Sequence, residues 1–343
     1  MAARRYLIVG PAWVGDMVMA QSLFISLRQQ HPGCSIDVLA PAWSLPLLAR
    51  MPEVRKGIEL PLSHGEFGLS SRWRLGRGLR SEHYDQAIVL PRSLKAALIP
   101  FFADAVQRTG FRGEMRYGLL NDIRPLDKQR LRQTVQRYVA LGQPGKTALP
   151  PVTIPEPKLS IDQLNQMKQR ERLKLAQERP AIALLPGAEY GPAKQWPLEH
   201  WHELAKGLLA TGYQVWVIGS AKDRASGETI CATQQGPIHN LCGQTELIDA
   251  IDLIAACDAA VTNDSGLMHI AAAVGTPLVA IYGSSTPEYT PPLTACAAIC
   301  YRALKCSPCF KRVCPLGHSD CLHGIDAEAV QATLADLLAC KEA

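Results

Sequence analysis

Two loops of the sequence carry residue types that could do acid–base or phosphate chemistry, and each lies between an apolar run and a helical pattern. Gly15 and Asp16 end the first loop, and Asp16 stands at the start of a helix. A carboxylate there either stabilises the positive end of the helix or acts as a general base toward a hydroxyl. Glu189, Tyr190 and Lys194 lie in the second loop, where Lys194 either is solvated or neutralises a phosphate. Taken singly, each loop is more typical of a helix terminus or a solvated charge than of a site.

A third loop favours the functional interpretation. Asp264, Ser265 and Gly266 follow an apolar run and open a helix whose first N–H groups are free to bind an anion. His269 lies four residues after Ser265 and therefore shares its helical face. Two neighbouring loops add further polar side chains, namely Ser220, Asp223, Gln244 and Thr245. Because all these loops follow strands of one predicted sheet, we expect them to bind an anionic nucleotide, with its diphosphate against the helix start and Lys194.

Four of the eleven cysteines are clustered near the end of the sequence. Cys306, Cys309, Cys314 and Cys321 form the pattern C-x2-C-x4-C-x6-C, and four thiolates suit structural zinc. In a protein of the cytoplasm a metal explains such a cluster better than disulfides do. A single C-x2-C pair is nevertheless a weaker metal signal than two pairs. We therefore favour reduced thiols in a packed segment over structural zinc, and we expect no cofactor to be needed for catalysis.

Apolar runs of strand length alternate with helical patterns along the whole chain. The runs are 4–10, 35–39, 85–90, 181–185, 214–218, 238–241, 259–262 and 278–281. Alternation of this kind predicts an α/β protein with parallel sheets that are covered by helices on both faces. The same alternation of strands and helices occurs before and after the middle of the chain, and it predicts two doubly wound domains that face each other across a cleft.

The domain boundary is indicated by proline. Five prolines fall within residues 142–157, a composition typical of an interdomain linker. We therefore predict one domain over 1–150, a second over 151–325, and a C-terminal helix over 326–343 that packs back toward the first domain.

Charge divides the chain in the same place. Lys and Arg number 21 against 11 Asp and Glu in residues 1–150, and 15 against 20 in residues 151–343. The first half is thus strongly basic, and we expect it to bind an anion. The composition of the whole chain excludes a disordered protein, a collagen and a coiled coil. No nucleic-acid motif accompanies the basic residues, so a phosphorylated glycolipid at a membrane surface fits better than nucleic acid. No segment predicts a leader or a membrane anchor, so we expect a protein of the cytoplasm.

At four places the sequence resembles the ADP-heptose:lipopolysaccharide heptosyltransferases of glycosyltransferase family 9. The matching stretches are 15–17, 108–122, 194–197 and 263–269. The second is long and specific, and it resembles the subfamily that adds the second heptose of the inner core. The resemblance implies a GT-B fold with two Rossmann-like domains, the first for the acceptor and the second for the nucleotide sugar.

The resemblance also implies roles for single residues. Asp16 matches the general base of the family, and Lys194 matches the lysine that contacts the donor diphosphate. The donor-binding set is Gly15, Glu189, Tyr190, Lys194, Ser220, Asp223, Gln244, Thr245, Asp264, Ser265, Gly266 and His269. The acceptor-binding set is Arg92, Arg112 and Arg116.

From the resemblance we expect an inverting transfer of heptose from ADP-heptose to the first heptose of heptosyl-Kdo2-lipid A, with release of ADP. The enzyme would act as a peripheral protein at the inner face of the cytoplasmic membrane. Two alternatives stay open from the sequence. One is addition of the first heptose by the same chemistry, and the other is a nucleotide- or polyanion-binding protein without transfer activity.

Overall fold

The computed structural model describes residues 3–62, 65–145 and 149–342 and divides into two compact units, Met1–Pro157 and Lys158–Ala343. The division falls later than the predicted boundary at residue 150. Just after this division the chain is held by the second unit, because the Leu159 N–H donates to the carbonyl of Ala273 at 3.0 Å and Leu159 is buried. The proline-rich stretch thus ends where the chain is first tied to the second unit.

The first unit is built on a parallel sheet of six strands. Its helices and strands are β1 (Arg5–Val9), α1 (Val14–Gln30), β2 (Ser35–Ala40), α2 (Leu45–Leu48), β3 (Val54–Glu59), α3 (Leu69–Gly78), β4 (Gln86–Val89), α4 (Leu94–Phe102), β5 (Gln107–Phe111), β6 (Asp122–Arg124) and α5 (Thr134–Gly142). The strand order is β3-β2-β1-β4-β5-β6. This is the order of a doubly wound Rossmann fold, with the central β1 and β4 buried along almost their whole length.

The second unit repeats this topology. Its elements are α6 (Gln163–Arg172), β7 (Ala181–Leu185), α7 (Leu198–Ala210), β8 (Gln214–Val217), α8 (Arg224–Cys231), β9 (Ile238–Asn240), α9 (Leu247–Ala255), β10 (Ala259–Asn263), α10 (Gly266–Ala273), β11 (Leu278–Tyr282), β12 (Ala297–Tyr301), α11 (Asp320–His323) and α12 (Ala327–Glu342). The sheet order is β12-β11-β10-β7-β8-β9, again all parallel. The predicted fold class of two doubly wound α/β units is confirmed.

Helix α12 belongs to the core of the second unit. It packs against α7 and against β10, β11 and β12. Val330 and Leu334 are buried in the same apolar cluster as Trp196 and Trp201. The second unit therefore includes this helix rather than ending at residue 325, whereas packing of the helix toward the first unit stays a prediction.

Parallel strands bring the loops that follow them to one edge of each sheet. In the first unit this edge carries Asp16 after β1, Arg92 after β4 and Arg112 after β5. In the second unit it carries the loops after β7 through β11, which include Lys194 and Asp264. Among the described residues, no helix is both long and apolar enough to cross a bilayer.

Candidate functional site

An ion pair between Lys194 and Asp264 lies at the carboxyl edge of the second sheet. The Lys194 Nζ donates to Asp264 Oδ2, and the Ser285 hydroxyl donates to the same oxygen. The Thr290 hydroxyl lies 3.4 Å from Asp264 Oδ1. Asp264 is only 4% exposed, and a carboxylate so deeply buried is tolerated because a cation and hydroxyl donors surround it. The Lys194 side chain is 17% exposed, so its ammonium is held firmly yet still reaches the edge.

His269 is buried one helical turn beyond Asp264. Burial lowers its pKa to about 4; the negative charge of Asp264 opposes this shift and the positive charge of Lys194 adds to it. The imidazole is therefore neutral at physiological pH and contributes no charge to the edge. It lies close enough to both partners of the ion pair to feel their charges.

The N-terminus of α10 presents unpaired donors at the same edge. Ser265 is the N-cap residue, but its side chain makes no capping hydrogen bond. Its hydroxyl oxygen is buried and has no partner among the described residues. The first N–H groups of a helix lack intrahelical acceptors, and the positive end of the helix dipole favours an anion there. Gly266 opens the helix, so its N–H belongs to this set.

Asn263 joins the loops that carry Lys194 and Asp264, although no role was predicted for it within the matching stretch 263–269. Its side chain is completely buried; Oδ1 accepts from the Trp196 N–H at 3.1 Å and Nδ2 donates to the Pro186 carbonyl at 2.6 Å. Both ends of the loop after β7 are thereby fixed to the end of β10. A polar residue at the end of an otherwise apolar strand was the available signal.

Glu189 and Tyr190 lie beside this pair. The Glu189 carboxylate accepts from Lys222 Nζ at 2.9 Å and 3.0 Å, so its negative charge is offset by an exposed partner. The Lys194 Nζ is 5.2 Å from the centre of the Tyr190 ring, and the Tyr190 hydroxyl donates to the Phe310 carbonyl at 2.8 Å. Tyr190 thus orients the Lys194 ammonium through its ring face.

Asp223 is brought against the same loop from β8. Its Oδ2 accepts from the N–H and the hydroxyl of Ser220, at 2.8 Å and 2.7 Å. A Cβ at Gly187 would lie 2.8 Å from that oxygen, so glycine is needed for the close approach. Gln244 uses its side-chain amide within its own loop, donating to the Asn240 carbonyl at 2.6 Å. Thr245 follows it and is half-buried, and the donor-binding roles of these residues stay predictions.

In the first unit, Asp16 is half-buried in the first turn of α1, which begins at Val14. Gly15 beside it is buried. Arg92 and Arg112 are exposed at the ends of neighbouring strands, and Arg92 Nε and Nη2 donate to the Arg112 carbonyl at 3.3 Å and 3.2 Å. The structure therefore brings the expected base and two of the expected acceptor cations to one edge of the sheet.

Arg116 differs from the other two members of the predicted acceptor set. It is only 2% exposed, and it donates to the carbonyls of Pro91 and Ser93, at 2.7 Å and 3.4 Å, and to that of Phe111. Burial lowers its pKa to about 10, and the positive charge of Arg92 adds to the effect. Its guanidinium holds together the loops after β4 and β5 instead of pointing a charge at the surface. The basic pattern could not separate this buried arginine from its exposed neighbours.

The four clustered cysteines line one small cavity of about 20 Å³, together with His318 and with Ala193 and Ser284 from the site loops. Backbone N–H groups, that of Ser319 most strongly, lower the pKa of Cys314, whereas burial raises that of Cys321. Within the part of the chain that the structure describes, no three His, Cys, Asp or Glu side chains are grouped so as to hold a metal ion.

Two Rossmann-like units, with a cationic edge and an open helix N-terminus on the second, are the features of a nucleotide-sugar glycosyltransferase of the GT-B class. A sequence profile of glycosyltransferase family 9 (heptosyltransferase) matches residues 72–319. The chain belongs to this family.

Curated relatives and a solved structure agree with the assignment. The chain is 50% identical over 298 residues to lipopolysaccharide heptosyltransferase 2 of Escherichia coli K12, covering 84% of this chain and 86% of the relative. It is 52% identical over 304 residues to lipooligosaccharide heptosyltransferase 2 of Haemophilus influenzae, covering 85% and 87%. The structure of the E. coli ADP-heptose LPS heptosyltransferase II superposes with a TM-score of 0.87 at 44% identity, covering 99% of this chain and all of that one. The predicted GT-B class and glycosyltransferase activity are confirmed.

Proposed function

We propose that this heptosyltransferase moves L-glycero-D-manno-heptose from ADP-heptose to the first heptose of heptosyl-Kdo2-lipid A. Relatives that are about half identical over most of both chains carry the name heptosyltransferase 2, which supports this acceptor. The observation that carries the donor side is the held Lys194 ammonium beside the open N-terminus of α10. A diphosphate fits such a pair of positive groups.

In the proposed donor complex, the diphosphate lies against the first N–H groups of α10. Lys194 offsets part of its charge, and Asp264 and Tyr190 keep the ammonium in place. The buried Ser265 hydroxyl, which has no partner among the described residues, is a further donor for a phosphate oxygen. In this proposal Asp223, in the loop after β8, contacts the ribose or the sugar hydroxyls.

The transfer is a single displacement. Asp16 takes the proton of the acceptor hydroxyl while that oxygen forms a bond to the anomeric carbon. The bond from this carbon to the diphosphate oxygen breaks on the opposite face, and its electron pair leaves with ADP, so the anomeric centre inverts. Negative charge grows on the diphosphate in the transition state, where Lys194 and the helix N-terminus stabilise it.

We infer that the reaction needs no metal or cofactor, because positive groups of the protein itself lie at the donor edge, where they offset charge on a leaving diphosphate. Turnover should therefore be unchanged after dialysis against a chelator, measured as ADP released in chelator-treated buffer. A loss of activity that Mg²⁺ restores would contradict the inference.

We further propose that the enzyme works as a peripheral protein at the inner face of the cytoplasmic membrane, where a lipid-anchored acceptor would be embedded. Support comes from one face of α3, on which Leu69 and Trp73 are about half exposed. Arg74 and Arg77 are exposed beside them. Aromatic and basic side chains together suit the interface of an anionic bilayer.

The decisive experiment offers ADP-heptose with lipid A cores that carry zero, one or two heptoses. We expect extension and ADP release only with the core that carries one heptose. Extension of the core without heptose would indicate addition of the first sugar. Absence of acceptor-dependent ADP release with all three cores would indicate a binding protein without transfer activity.

A further inference from the structure

The donor edge described above has less net positive charge than its lysines suggest. Lys194 is paired with the buried Asp264, and Lys222 is paired with the exposed Glu189. Each pair is close to neutral when seen from the position of a diphosphate. The proposed donor site therefore needs another cation if it is to balance the charge that develops on ADP.

Arg312 supplies a cation at this place. Its Cζ lies 5.5 Å from the centre of the Tyr190 ring, the same ring that Lys194 Nζ approaches at 5.2 Å. Arg312 is exposed, and it forms no ion pair with the residues that the structure describes. Its charge therefore lies against the same aromatic ring as the Lys194 ammonium.

The backbone around Arg312 is fixed to the Lys194 loop. The Ala193 N–H donates to the Arg312 carbonyl at 3.0 Å. A Cβ at Gly191 would lie 2.6 Å from that carbonyl oxygen, and Gly191 has a φ of 148°, so glycine permits the contact. The Phe310 N–H donates to the Ser284 carbonyl at 2.7 Å. The cysteine-containing segment, residues 306–321, is therefore anchored to the loops of the site and positions Arg312 at their edge.

We propose that Arg312 is a second donor-binding cation whose guanidinium donates hydrogen bonds to the diphosphate of ADP-heptose. A planar guanidinium can donate to two phosphate oxygens at once, which the Lys194 ammonium cannot do with the same geometry. The proposal rests on the proposed function, since it assumes that the diphosphate binds at this edge. The sequence did not indicate Arg312, because only the fold brings it to Tyr190.

The test compares Arg312→Gln with Lys311→Gln in the full chain. Lys311 is the adjacent exposed residue and makes no hydrogen bond or ion pair within the described residues, so its variant loses the same charge without the contact. Binding of ADP and of adenosine is measured by calorimetry. For Arg312→Gln we expect about tenfold or greater weakening for ADP, as for losing charge-assisted hydrogen bonds, and little change for adenosine. Lys311→Gln should bind ADP like the wild type.

The outcomes separate this proposal from the one on which it rests. If the wild-type protein does not bind ADP, the donor site itself is wrongly placed. If the wild type binds ADP and Arg312→Gln binds it equally well, the role of Arg312 is refuted. Equal weakening for ADP and adenosine would show that Arg312 only supports Tyr190 and would also overturn the proposal. Arg312→Lys, which keeps the charge, should bind ADP with intermediate affinity, and circular dichroism checks that each variant is folded.

Discussion

Single carboxylates do different work at the two sheet edges. Asp264 is buried and satisfied by Lys194 and Ser285, so it positions a cation. Asp16 is only half-buried in the first turn of α1, where it is more accessible to a substrate hydroxyl. The difference in burial, rather than residue type, distinguishes a positioning carboxylate from a candidate base.

Asp16→Asn tests the base directly. The amide keeps the size of the side chain but cannot accept the proton, so we expect kcat to fall by about 100-fold or more. Affinity for ADP should stay near that of the wild type, because the amide keeps the shape of the side chain, and Lys194 and the N-terminus of α10, which bind the diphosphate in our proposal, lie in the other unit. Steady-state ADP release and calorimetry measure the two quantities.

The matched control for this prediction is Glu199→Gln. Glu199 is also an acidic residue in the first turn of a helix, α7, and it is exposed. It should lose only a small helix-dipole contribution and retain full turnover. Near-normal turnover in Asp16→Asn would show that Asp16, like Glu199, merely stabilises its helix.

His269 gives the second unit a dependence on pH. Burial lowers its pKa to about 4 in the folded protein, from 6.5 in an unfolded chain. Between these values the unfolded state binds the extra proton, so this residue makes stability fall as pH decreases from about 6.5 to 4, by at most about 1.4 kcal/mol per pH unit. NMR titration of the imidazole should show a neutral ring at pH 6. A midpoint near 6.5 for His269 would contradict the burial that the structure shows.

At the scale of elements, buried polar residues fasten loops to strands. Arg116 ties the loop after β5 to the loop after β4, and Asn263 ties the loop after β7 to β10. Both residues work by satisfying backbone groups that would otherwise be buried without partners. These hydrogen bonds fix the positions of the loops on which the site is built.

Arg116→Met and Arg112→Gln should therefore differ in kind. Arg116→Met leaves the carbonyls of Pro91 and Phe111 without their donor, and we expect a loss of about 3 kcal/mol in the free energy of unfolding. Arg112→Gln should change stability little and should raise the KM for the phosphorylated acceptor, by about tenfold if it donates to a phosphate. Urea unfolding and acceptor kinetics separate the effects. A stable Arg116→Met with weakened acceptor binding would restore Arg116 to the acceptor set.

Sequence periodicity located the buried elements and missed the polar ones. The apolar run 181–185 is β7, residue for residue. Strands β3, β5, β6 and β12 were not predicted. Strands β3, β6 and β12 lie at sheet edges and carry mostly half-buried or exposed residues, and β5, beside an edge strand, has only one large apolar side chain, Phe111. The loops of the site were recognised through their motifs. Ser285 and Arg312 were not, since only the fold brings these distant positions to Asp264 and Tyr190.

We expect the four cysteines of the cysteine-containing segment to be reduced thiols. Its four cysteines surround a cavity of about 20 Å³, room for about one water, and the thiols are not grouped as metal ligands within the described residues. Protein purified without added metal should contain less than about 0.2 equivalents of zinc, and a structural zinc site would retain its ion. Mass spectrometry measures the zinc content, and a thiol titration of the unfolded chain counts the reduced cysteines. One equivalent of bound zinc would contradict this expectation.

For the whole molecule, the basic character of the first unit is partly internal. Arg124 pairs with Asp122 at 2.9 Å and is 1% exposed. Arg55 pairs with the buried Asp37. Arg72 is 4% exposed and donates to the Phe67 carbonyl at 2.7 Å. The net charge of residues 1–150 therefore overstates the positive charge that a partner meets. The basic side chains that are exposed occupy a smaller part of the surface.

We expect the exposed basic residues of α3 to bind the membrane surface. Arg77 Cζ lies 5.2 Å from the centre of the Trp73 ring, so an aromatic and a basic group share one place on the surface. Removing two charges with Arg74→Gln and Arg77→Gln should weaken sedimentation with vesicles that contain anionic lipid by about tenfold or more, at about 1 kcal/mol for each charge. Lys168→Gln with Lys206→Gln removes the same charge from exposed positions of the second unit and should have little effect. Equal binding by both double variants would mean that net charge, rather than this face of α3, attracts the protein to anionic lipid.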